Sequence, residues 1–407
     1  MLRRLSVTIT ATATLWLLCS SLTLAQTKKP KQPDKFLPNP LEITTPDPLL
    51  PQPQQPLTPA ERQKLEAALD ELNQQATAKL QAGDQVTAFE IWNRELRLRR
   101  AFGAIAEVQA LSRVGAIAWR NNERQQLQYI TQRLQTVQTQ AKSQNTLDLQ
   151  LLQALGQAYQ QVREPKLALS VYEQILATVR TSQDAAAEIE TLKQIGEIHL
   201  SWFDYPSAAA TYEKLLSNAN NSGDRMGVMT YLQQLAYIYE QAKQPQQSVN
   251  IRNKLAEIYL QENNLTQLAA LKLAIGSDYE SLAQKDPSLL QNAFKNYQEA
   301  YTTAWQSEQY VRAGEALQKL IALYRSQGQI EEALQTSQIL IKTQELAGNF
   351  YGLMNAYDQI GQINLQRKDY PQAQAAFQKG LQLAQQLKYD ETYFTEQIQK
   401  LSGQTLK

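Results

Sequence analysis

A glycine that returns with a period of 40 residues constrains this chain more than any other feature. Gly156 and Gly196 stand on successive rungs of this ladder, and Gly276 and Gly361 stand further along it, the last one displaced by a short insertion. Glycine costs a helix about 1 kcal/mol relative to alanine, so its recurrence requires a packing reason, namely the close approach of a neighbouring helix. The spacing therefore predicts a tandem array of helical units in which these glycines are packing residues.

Three further features accompany each rung of the ladder. A turn residue separates the two helices of a unit, a small residue opens the second helix, and an aromatic residue follows one turn later. The ring is expected to fill the space that the small residues leave. The turns contain Gly83, Pro165, Pro206, Pro245, Gly328 and Pro371; the small residues are Ala88, Ala168, Ala208, Ala293, Ala333 and Ala373; the aromatics are Trp92, Tyr172, Tyr212, Tyr297 and Phe377.

Two units depart from this pattern. In the fifth unit Arg252 replaces the aromatic and Ser248 the alanine, and in the seventh Ile321 replaces the glycine and Ser337 the aromatic. An insertion around residues 285–289 lengthens the sixth unit. These places are expected either to pack more loosely or to carry contacts to a partner.

The pattern Leu-x-x-Leu/Ile-Gly-x-x-Tyr, followed by Ala-x-x-x-Tyr/Phe, resembles the tetratricopeptide repeat, with the unit lengthened from the usual ~34 residues. The resemblance covers about residues 69–393, and it is strongest in the units that contain Gly156 and Gly196. It implies an all-α fold, a right-handed superhelix or α-solenoid of helix-turn-helix repeats. We expect about eight repeats over residues 59–393, closed by a capping helix over residues 394–407.

The N-terminal region is predicted to direct export. Residues 1–25 have a basic start, an apolar stretch and small residues before Gln26, as a cleaved signal peptide does. The alternative is an uncleaved membrane anchor. Residues 26–58 contain most of the prolines and predict a semi-rigid, solvated linker. Residues 51–56 could instead be a proline-rich ligand.

Composition argues against most chemistry. Cys19 is the only cysteine and His199 the only histidine. The chain therefore lacks the residues needed for a cysteine or histidine metal site or for a nucleophile–base pair. His199 is expected to be a packed polar ring with one hydrogen bond. The formal net charge is +1, which argues against a nucleic-acid partner. We therefore expect no enzyme activity, no metal and no cofactor.

The resemblance places a binding surface on the first helix of each unit. In tetratricopeptide domains these helices line a concave groove, and here the corresponding stripe is rich in amides, which both donate and accept hydrogen bonds. The family's Lys/Asn carboxylate clamp is absent, and the alternative is a solvated surface without a ligand. The candidate groove residues are Trp119, Gln153, Gln157, Gln160, Glu190, Lys193, Glu197, Gln233 and Tyr237, and the stripe also includes Gln150, Glu240, Asn355, Asp358 and Gln362.

Two other surfaces attract attention. The run Arg94, Arg97, Arg99 and Arg100 is expected to be a solvated face paired with Glu90 and Glu95, the alternative being a dock for an acidic partner or lipid head groups. Trp202 and Phe203 are expected to pack against the next unit's turn, the alternative being an exposed partner-binding pair.

The sequence thus predicts an exported, non-enzymatic scaffold or assembly factor that holds a protein segment in its groove. Periplasm or thylakoid lumen is the expected compartment, with the membrane close to the N-terminus. The alternative function is a membrane-anchored organiser of an envelope or thylakoid complex, with the N-terminal segment uncleaved. The identity of the protein or peptide partner does not follow from the sequence.

Overall fold

The computed structural model describes residues 39–50 and 57–402, and the fold is stated for these residues. The predicted signal peptide, and most of the predicted linker including residues 51–56, lie outside them. The helices are α1 (Pro59–Gln81), α2 (Gln85–Arg99), α3 (Ala104–Arg120), α4 (Arg124–Ser143), α5 (Leu149–Gln161), α6 (Pro165–Thr181), α7 (Ala185–Ser201), α8 (Tyr205–Ser222), α9 (Arg225–Gln241), α10 (Pro245–Gln261), α11 (Leu265–Ala283), α12 (Leu290–Gln306), α13 (Tyr310–Ser326), α14 (Ile330–Leu346), α15 (Phe350–Gln366), α16 (Tyr370–Leu387) and α17 (Glu391–Ser402).

The described chain is an all-α stack of helical hairpins. Helices α1 to α16 pair in chain order, and nearly every helix packs on the helix before it and the helix after it. Neither described range contains a β-strand. This architecture confirms the predicted α-solenoid fold. The last helix, α17, begins at Glu391 rather than at the expected residue 394, and it buries Phe394 against the end of the stack.

Local sequence signals fix the helix boundaries. The Thr58 hydroxyl accepts from the Glu61 N–H and the Thr58 N–H donates to the Glu61 carboxylate, so this reciprocal cap starts α1 at Pro59. Pro165 and Pro245 take the first position of their helices, where the missing N–H costs nothing. Pro206 and Pro371 instead take the second position, because Asp204 and Asp369 cap those helices one residue earlier.

The predicted packing of rings against glycines is confirmed. A Cβ built on Gly156 would lie 3.0 Å from the Tyr172 ring, and one on Gly276 would lie 2.5 Å from the Tyr297 ring. In both cases the ring comes from the second helix of the same hairpin. The glycine therefore admits its own unit's aromatic, whereas Gly115 admits Val162 from the following unit.

Alanine substitutions at two of the repeated glycines are expected to differ in their effect on stability. Gly276→Ala should lower the free energy of unfolding by about 1–2 kcal/mol, because the overlap with the buried Tyr297 ring exceeds the gain in helix propensity. Gly156→Ala should be close to neutral, because its milder contact with Tyr172 is offset by that same gain of about 1 kcal/mol. Urea denaturation followed by circular dichroism measures both, and equal losses at the two sites would contradict the account.

Residues 39–50, called the N-terminal strap below, lie on the second helices of the first two hairpins, α2 and α4. The strap's 3-10 turn, Pro40–Glu42, buries the Leu41 side chain completely. Polar side chains hold the rest of it: Arg94 binds Asp47 at 2.8 and 2.9 Å, Arg97 donates to the Pro40 carbonyl at 2.7 Å, Arg100 donates to the Leu41 carbonyl, Arg133 pairs with Glu42 at 3.4 Å, and the Asn39 amide donates to the Tyr129 carbonyl at 3.3 Å.

The strap overturns two expectations from the sequence. Over residues 39–50 the proline-rich segment is not a solvated spacer, because the backbone carbonyls of Pro40 and Leu41 accept hydrogen bonds from arginine side chains. The arginine run is not a solvated face either. Glu95 is fully buried between Arg99 at 3.1 Å and Arg113 at 2.7 Å, while Glu90 is exposed and forms no ion pair within the described ranges.

Truncating the strap's apolar anchor should destabilise the first two hairpins. Leu41→Ala is expected to lower the free energy of unfolding by about 2 kcal/mol, since it opens a cavity at a fully buried site. Ile43→Ala provides the control, because that side chain is 45% exposed. Hydrogen exchange of α2 and α4 reports the effect, and unchanged protection in Leu41→Ala would show that the strap does not contribute to their stability.

The seventh unit has a large side chain at the glycine position and a small one at the aromatic position, yet its packing is not looser. Ile321 stands in the glycine slot and Ser337 in the aromatic slot, and both are buried, so the expected looser packing is not found there. The Ser337 hydroxyl donates to the Ala333 carbonyl at 2.8 Å and is thus satisfied within its own helix. In the fifth unit Arg252 and Ser248 are also buried, but the surroundings are polar.

Candidate protein-binding groove

The predicted groove residues form a solvent-facing stripe on α3, α5, α7 and α9, the first helices of four successive hairpins. Gln153, Gln157 and Glu197 are exposed, whereas their neighbours Leu155, Gly156 and Gly196 are buried. The apolar face of each helix is thus buried against neighbouring helices. The remaining face carries the nine residues named from the sequence, which we call the groove stripe: Trp119, Gln153, Gln157, Gln160, Glu190, Lys193, Glu197, Gln233 and Tyr237.

Most of the groove stripe keeps free hydrogen-bonding capacity. Gln153 and Gln157 make no hydrogen bond to the described part of the chain, and Lys193 lies 3.8 Å from Glu190 in an exposed pair that holds neither residue firmly. Gln160 donates to Gln194 on the next hairpin across 3.4 Å. Gln233 differs from these residues, because its amide donates to the Tyr259 hydroxyl at 2.8 Å.

Aromatic residues flank the stripe. Trp119 is 48% exposed, and the Arg163 guanidinium lies 5.3 Å from the centre of its ring. A cleft of about 230 Å³ opens beside them between α5 and α7, lined among others by Gln160, Arg163, Glu197 and Trp202. Because side chains of the stripe form part of this wall, the cleft belongs to the same surface.

Trp202 and Phe203 do not pack against the next unit's turn. Trp202 is 48% exposed and Phe203 74% exposed, and the nearest ring to Phe203 is that of Tyr205 in the same turn. Phe203 adopts a left-handed backbone with φ 60°, the geometry that ends α7. The turn holds this aromatic outward, as the alternative prediction of an exposed pair required.

The floor beneath the stripe stays uncharged. Burial, reinforced by the nearby carboxylates Glu197 and Glu190, raises the pKa of the Tyr172 hydroxyl to about 12. Burial also raises the pKa of Tyr212, with Glu197 as the next cause. Both phenols therefore remain protonated over the physiological range, and the charges of the groove stripe itself are those of Glu190, Lys193 and Glu197.

The capping helix covers the C-terminal end of the stripe. The Tyr393 hydroxyl on α17 donates to Asp358 at 2.7 Å, and the Gln362 amide donates to the same hydroxyl at 2.9 Å. These two stripe residues of the last hairpin are thus engaged by the chain itself.

A second cleft, of about 670 Å³, lies where the repeat pattern breaks between α10 and α11. At its floor Arg252 pairs with Asp278 at 2.6 Å and with Glu240, and the Ser248 hydroxyl donates to Asp278 at 2.8 Å. Burial raises the pKa of the Asp278 carboxyl, while Arg252 and Ser248 oppose this shift. The sequence marked Arg252 and Ser248 as departures but gave Asp278 no role.

The single histidine of the chain is packed against an acidic side chain. His199 places Nδ1 3.1 Å from the Asp204 carboxylate and is mostly buried, which confirms the predicted packed ring with one hydrogen bond. No group of acidic, histidine or cysteine side chains within residues 39–50 and 57–402 could hold a metal ion. None of the helices in these ranges has the length and apolarity needed to cross a membrane.

Comparisons with known proteins agree with this architecture. Two segments match family models described as tetratricopeptide repeat, residues 151–186 and residues 355–387. The first spans the hairpin that contains Gly156, and the second spans the hairpin that contains Gly361. The chain therefore contains tetratricopeptide repeats. No curated protein matches the sequence.

Several solved structures are similar to this chain at low sequence identity. The apo form of RapI is 15% identical, with a TM-score of 0.44 over 74% of this chain and 82% of that one. Aspartyl phosphate phosphatase F from Bacillus subtilis is 17% identical, with a TM-score of 0.40 over 72% and 78%. A tetratricopeptide repeat protein from Parabacteroides merdae is 15% identical, with a TM-score of 0.30 over 83% and 99%. Likeness at this level says nothing about what the chain binds.

Proposed function

We propose that this protein is a binding scaffold that holds an extended segment of a partner protein along the groove stripe. The observation that carries the proposal is the run of exposed side chains, rich in amides and acids, on four successive first helices, which packing does not require. Amides donate and accept, so they suit the backbone of an extended chain. The tetratricopeptide fold is a typical interaction scaffold, and it supports a role without chemistry.

The unpaired donors and acceptors of the groove stripe determine which groups a bound segment could contact. Gln153 and Gln157 offer amides one helical turn apart, and Lys193 and Glu190 offer charges on the next hairpin. Trp119 and Tyr237 add half-exposed rings at the two ends of this region. Exposed aromatic side chains are common anchors in protein interfaces, and here they bracket the polar centre.

Removing the polar centre of the stripe should weaken partner binding. The triple variant Gln153→Ala, Gln157→Ala and Lys193→Ala is expected to recover at least about tenfold less of a specific partner in quantitative pull-down, since several hydrogen bonds are lost together. A matched control replaces two glutamines and a lysine exposed on second helices, Gln135, Gln174 and Lys214. Equal recovery by both variants would contradict the assignment of the stripe.

We extend the proposal to the place of action, which the N-terminal sequence supports. Residues 1–25 have the features of an export signal, so the scaffold is proposed to act in the periplasm or thylakoid lumen, near the membrane. Determining the N-terminus of the processed chain tests this. A start at Gln26 supports release after export, whereas a retained Met1 favours the anchored alternative.

A further inference from the structure

We propose that the cleft around Arg252 is a binding pocket for an acidic segment of the partner protein, taking a carboxylate together with a neighbouring apolar side chain. The proposal rests on the scaffold function proposed above and deepens it by naming the chemistry of one subsite. The cleft, called the Arg252 pocket below, is lined by α9, the α9–α10 turn, α10 and α11, and by one lysine each from the α11–α12 turn and α13.

Several independent departures from the repeat pattern meet in this pocket. Arg252 replaces a buried ring, Ser248 replaces an alanine, and Asp278 stands where five other units have an apolar, buried residue. The insertion that lengthens the sixth unit supplies Lys285 to the rim. The equivalents of Asp278 are Ala158, Ile198, Ile238, Leu323 and Ile363.

Stability does not account for this polar cluster. A buried ion pair recovers little beyond the cost of removing its charges from water, and well-packed apolar residues often serve the fold equally well or better. Several other hairpins use apolar residues at both positions, for example Tyr172 and Ala158 in the hairpin of α5 and α6. The chain therefore gains something other than stability from Arg252 and Asp278, and the adjoining cleft indicates what it is.

The rim of the pocket carries an excess of cations. Lys243, Lys285 and Lys319 come from three successive units, and all three side chains are exposed. Lys319 has a distant partner in Glu280 at 3.7 Å, whereas Lys243 and Lys285 have no carboxylate partner within the described ranges. An anion entering the cleft would thus meet at least two uncompensated positive charges.

The floor offers one replaceable carboxylate. Arg252 is held by the mostly buried Asp278 on one side and by Glu240 on the other, and the Glu240 side chain is 56% exposed. Glu240 can turn into solvent at little cost, while Asp278 cannot. A ligand carboxylate could take the place of Glu240 at Arg252 and keep the guanidinium satisfied.

The pocket also continues the groove stripe. Ala270, Leu273 and Ser277 on α11 hold the repeat positions that Gln150, Gln153 and Gln157 hold on α5, and all three line the cleft. The stripe therefore changes from amides to a partly apolar surface under a basic rim. An extended segment bound along the amides would place an acidic residue and an aliphatic neighbour here.

The test uses the full processed chain and an array of randomised short peptides with amidated C-termini, repeated with free C-termini. We expect enrichment of peptides that place Asp or Glu beside an aliphatic residue. The paired variant Arg252→Met/Asp278→Leu and the rim variant Lys243→Ala/Lys285→Ala should each bind those peptides about tenfold more weakly. The variant Glu240→Gln should bind them more tightly, because it removes the competing carboxylate.

Matched controls separate the possible outcomes. Lys166→Ala/Lys214→Ala removes two exposed lysines outside the pocket and should leave the preference intact. Enrichment only among free C-termini would assign the pocket to a terminal carboxylate of the segment rather than an acidic side chain, and it still supports the proposal. Saturation by inorganic phosphate or acetate without any peptide preference would overturn it in favour of a free anion.

Failure of this inference differs from failure of the scaffold function. Peptide binding that persists without acidic preference, or that is unchanged in the pocket variants, overturns the pocket and leaves the groove standing. A chain that selects no peptide at all contradicts both proposals. The triple variant of Gln153, Gln157 and Lys193 should lower overall peptide binding while keeping the acidic preference.

Discussion

Replacing Arg252 by alanine is expected to lower the free energy of unfolding by about 3 kcal/mol, because it leaves a mostly buried carboxylate without its charged partner. Asp278 would lose its 2.6 Å partner, and only the Ser248 hydroxyl would remain to hold it. Glu240 would lose little, since its side chain is 56% exposed. The effect should concentrate at the junction of α10 and α11, which hydrogen exchange can locate.

A double-mutant cycle separates the ion pair from the packing of Arg252. Arg252→Met alone and Asp278→Leu alone each leave one buried charge, whereas the combination leaves none and approaches the apolar packing of the other units. The paired variant is therefore expected to be about as stable as the natural chain or more stable. Additive losses in the cycle would show that the two side chains are not coupled, and they would remove the physical basis of the Arg252 pocket.

Trp92→Ala is expected to cost about 3–5 kcal/mol, since the ring is fully buried in the first hairpin. The indole also donates a hydrogen bond to the Asn73 side chain at 2.9 Å, and Phe89 packs 5.2 Å from it between ring centres. Alanine would leave a cavity on the helix that carries the strap-binding arginines. Loss of α2 protection should therefore release the strap as well.

A conservative substitution at the same position distinguishes packing from hydrogen bonding. Trp92→Phe keeps much of the ring volume but leaves the Asn73 oxygen with Arg113 as its remaining donor. It should cost about 1–2 kcal/mol, clearly less than alanine. Equal losses for the two variants, measured by urea denaturation, would mean that the hydrogen bond rather than the buried ring stabilises this hairpin.

The helical array could be predicted from sequence because its signals are local and repeated. The pairing of Gly156 with Tyr172 and the turns at Pro165 and Pro245 each lie within one hairpin, and repetition averages out the weaker units. The same logic located the groove stripe as an exposed face. Which partner it holds leaves no trace in a periodic pattern.

The strap could not be predicted in this way, because its contacts are distant and occur once. Asn39 reaches the Tyr129 carbonyl across 90 positions of sequence, and Arg94 reaches Asp47 across 47. Proline content indicated a spacer, while the buried Leu41 carried no periodic signal. Two features of the sequence could have indicated the strap. Leu41 stands alone between prolines, and the arginine run has more positive charges than the nearby acidic residues can pair.

The sequence pattern indicated only some of the residues that form the Arg252 pocket. Arg252 and Ser248 stood out against the repeat, but Asp278 looked like an ordinary polar residue until its register was compared with Ala158 and Ile198. The structure shows that Arg252 and Asp278 meet because α10 and α11 pack side by side. Comparison of every repeat position, rather than of the motif positions alone, would have found this pair.

The scaffold function is tested most directly by photo-crosslinking from defined positions. A photoreactive phenylalanine derivative placed at Gln157, Glu197 or Ser277 should each trap the same partner, and the crosslinked peptides should follow one another in order along a single segment. The same derivative at Gln174, exposed on the second helix α6, should trap none of that segment. Crosslinks that arise from Gln174 but not from Gln157 and Glu197 would contradict binding along the groove stripe.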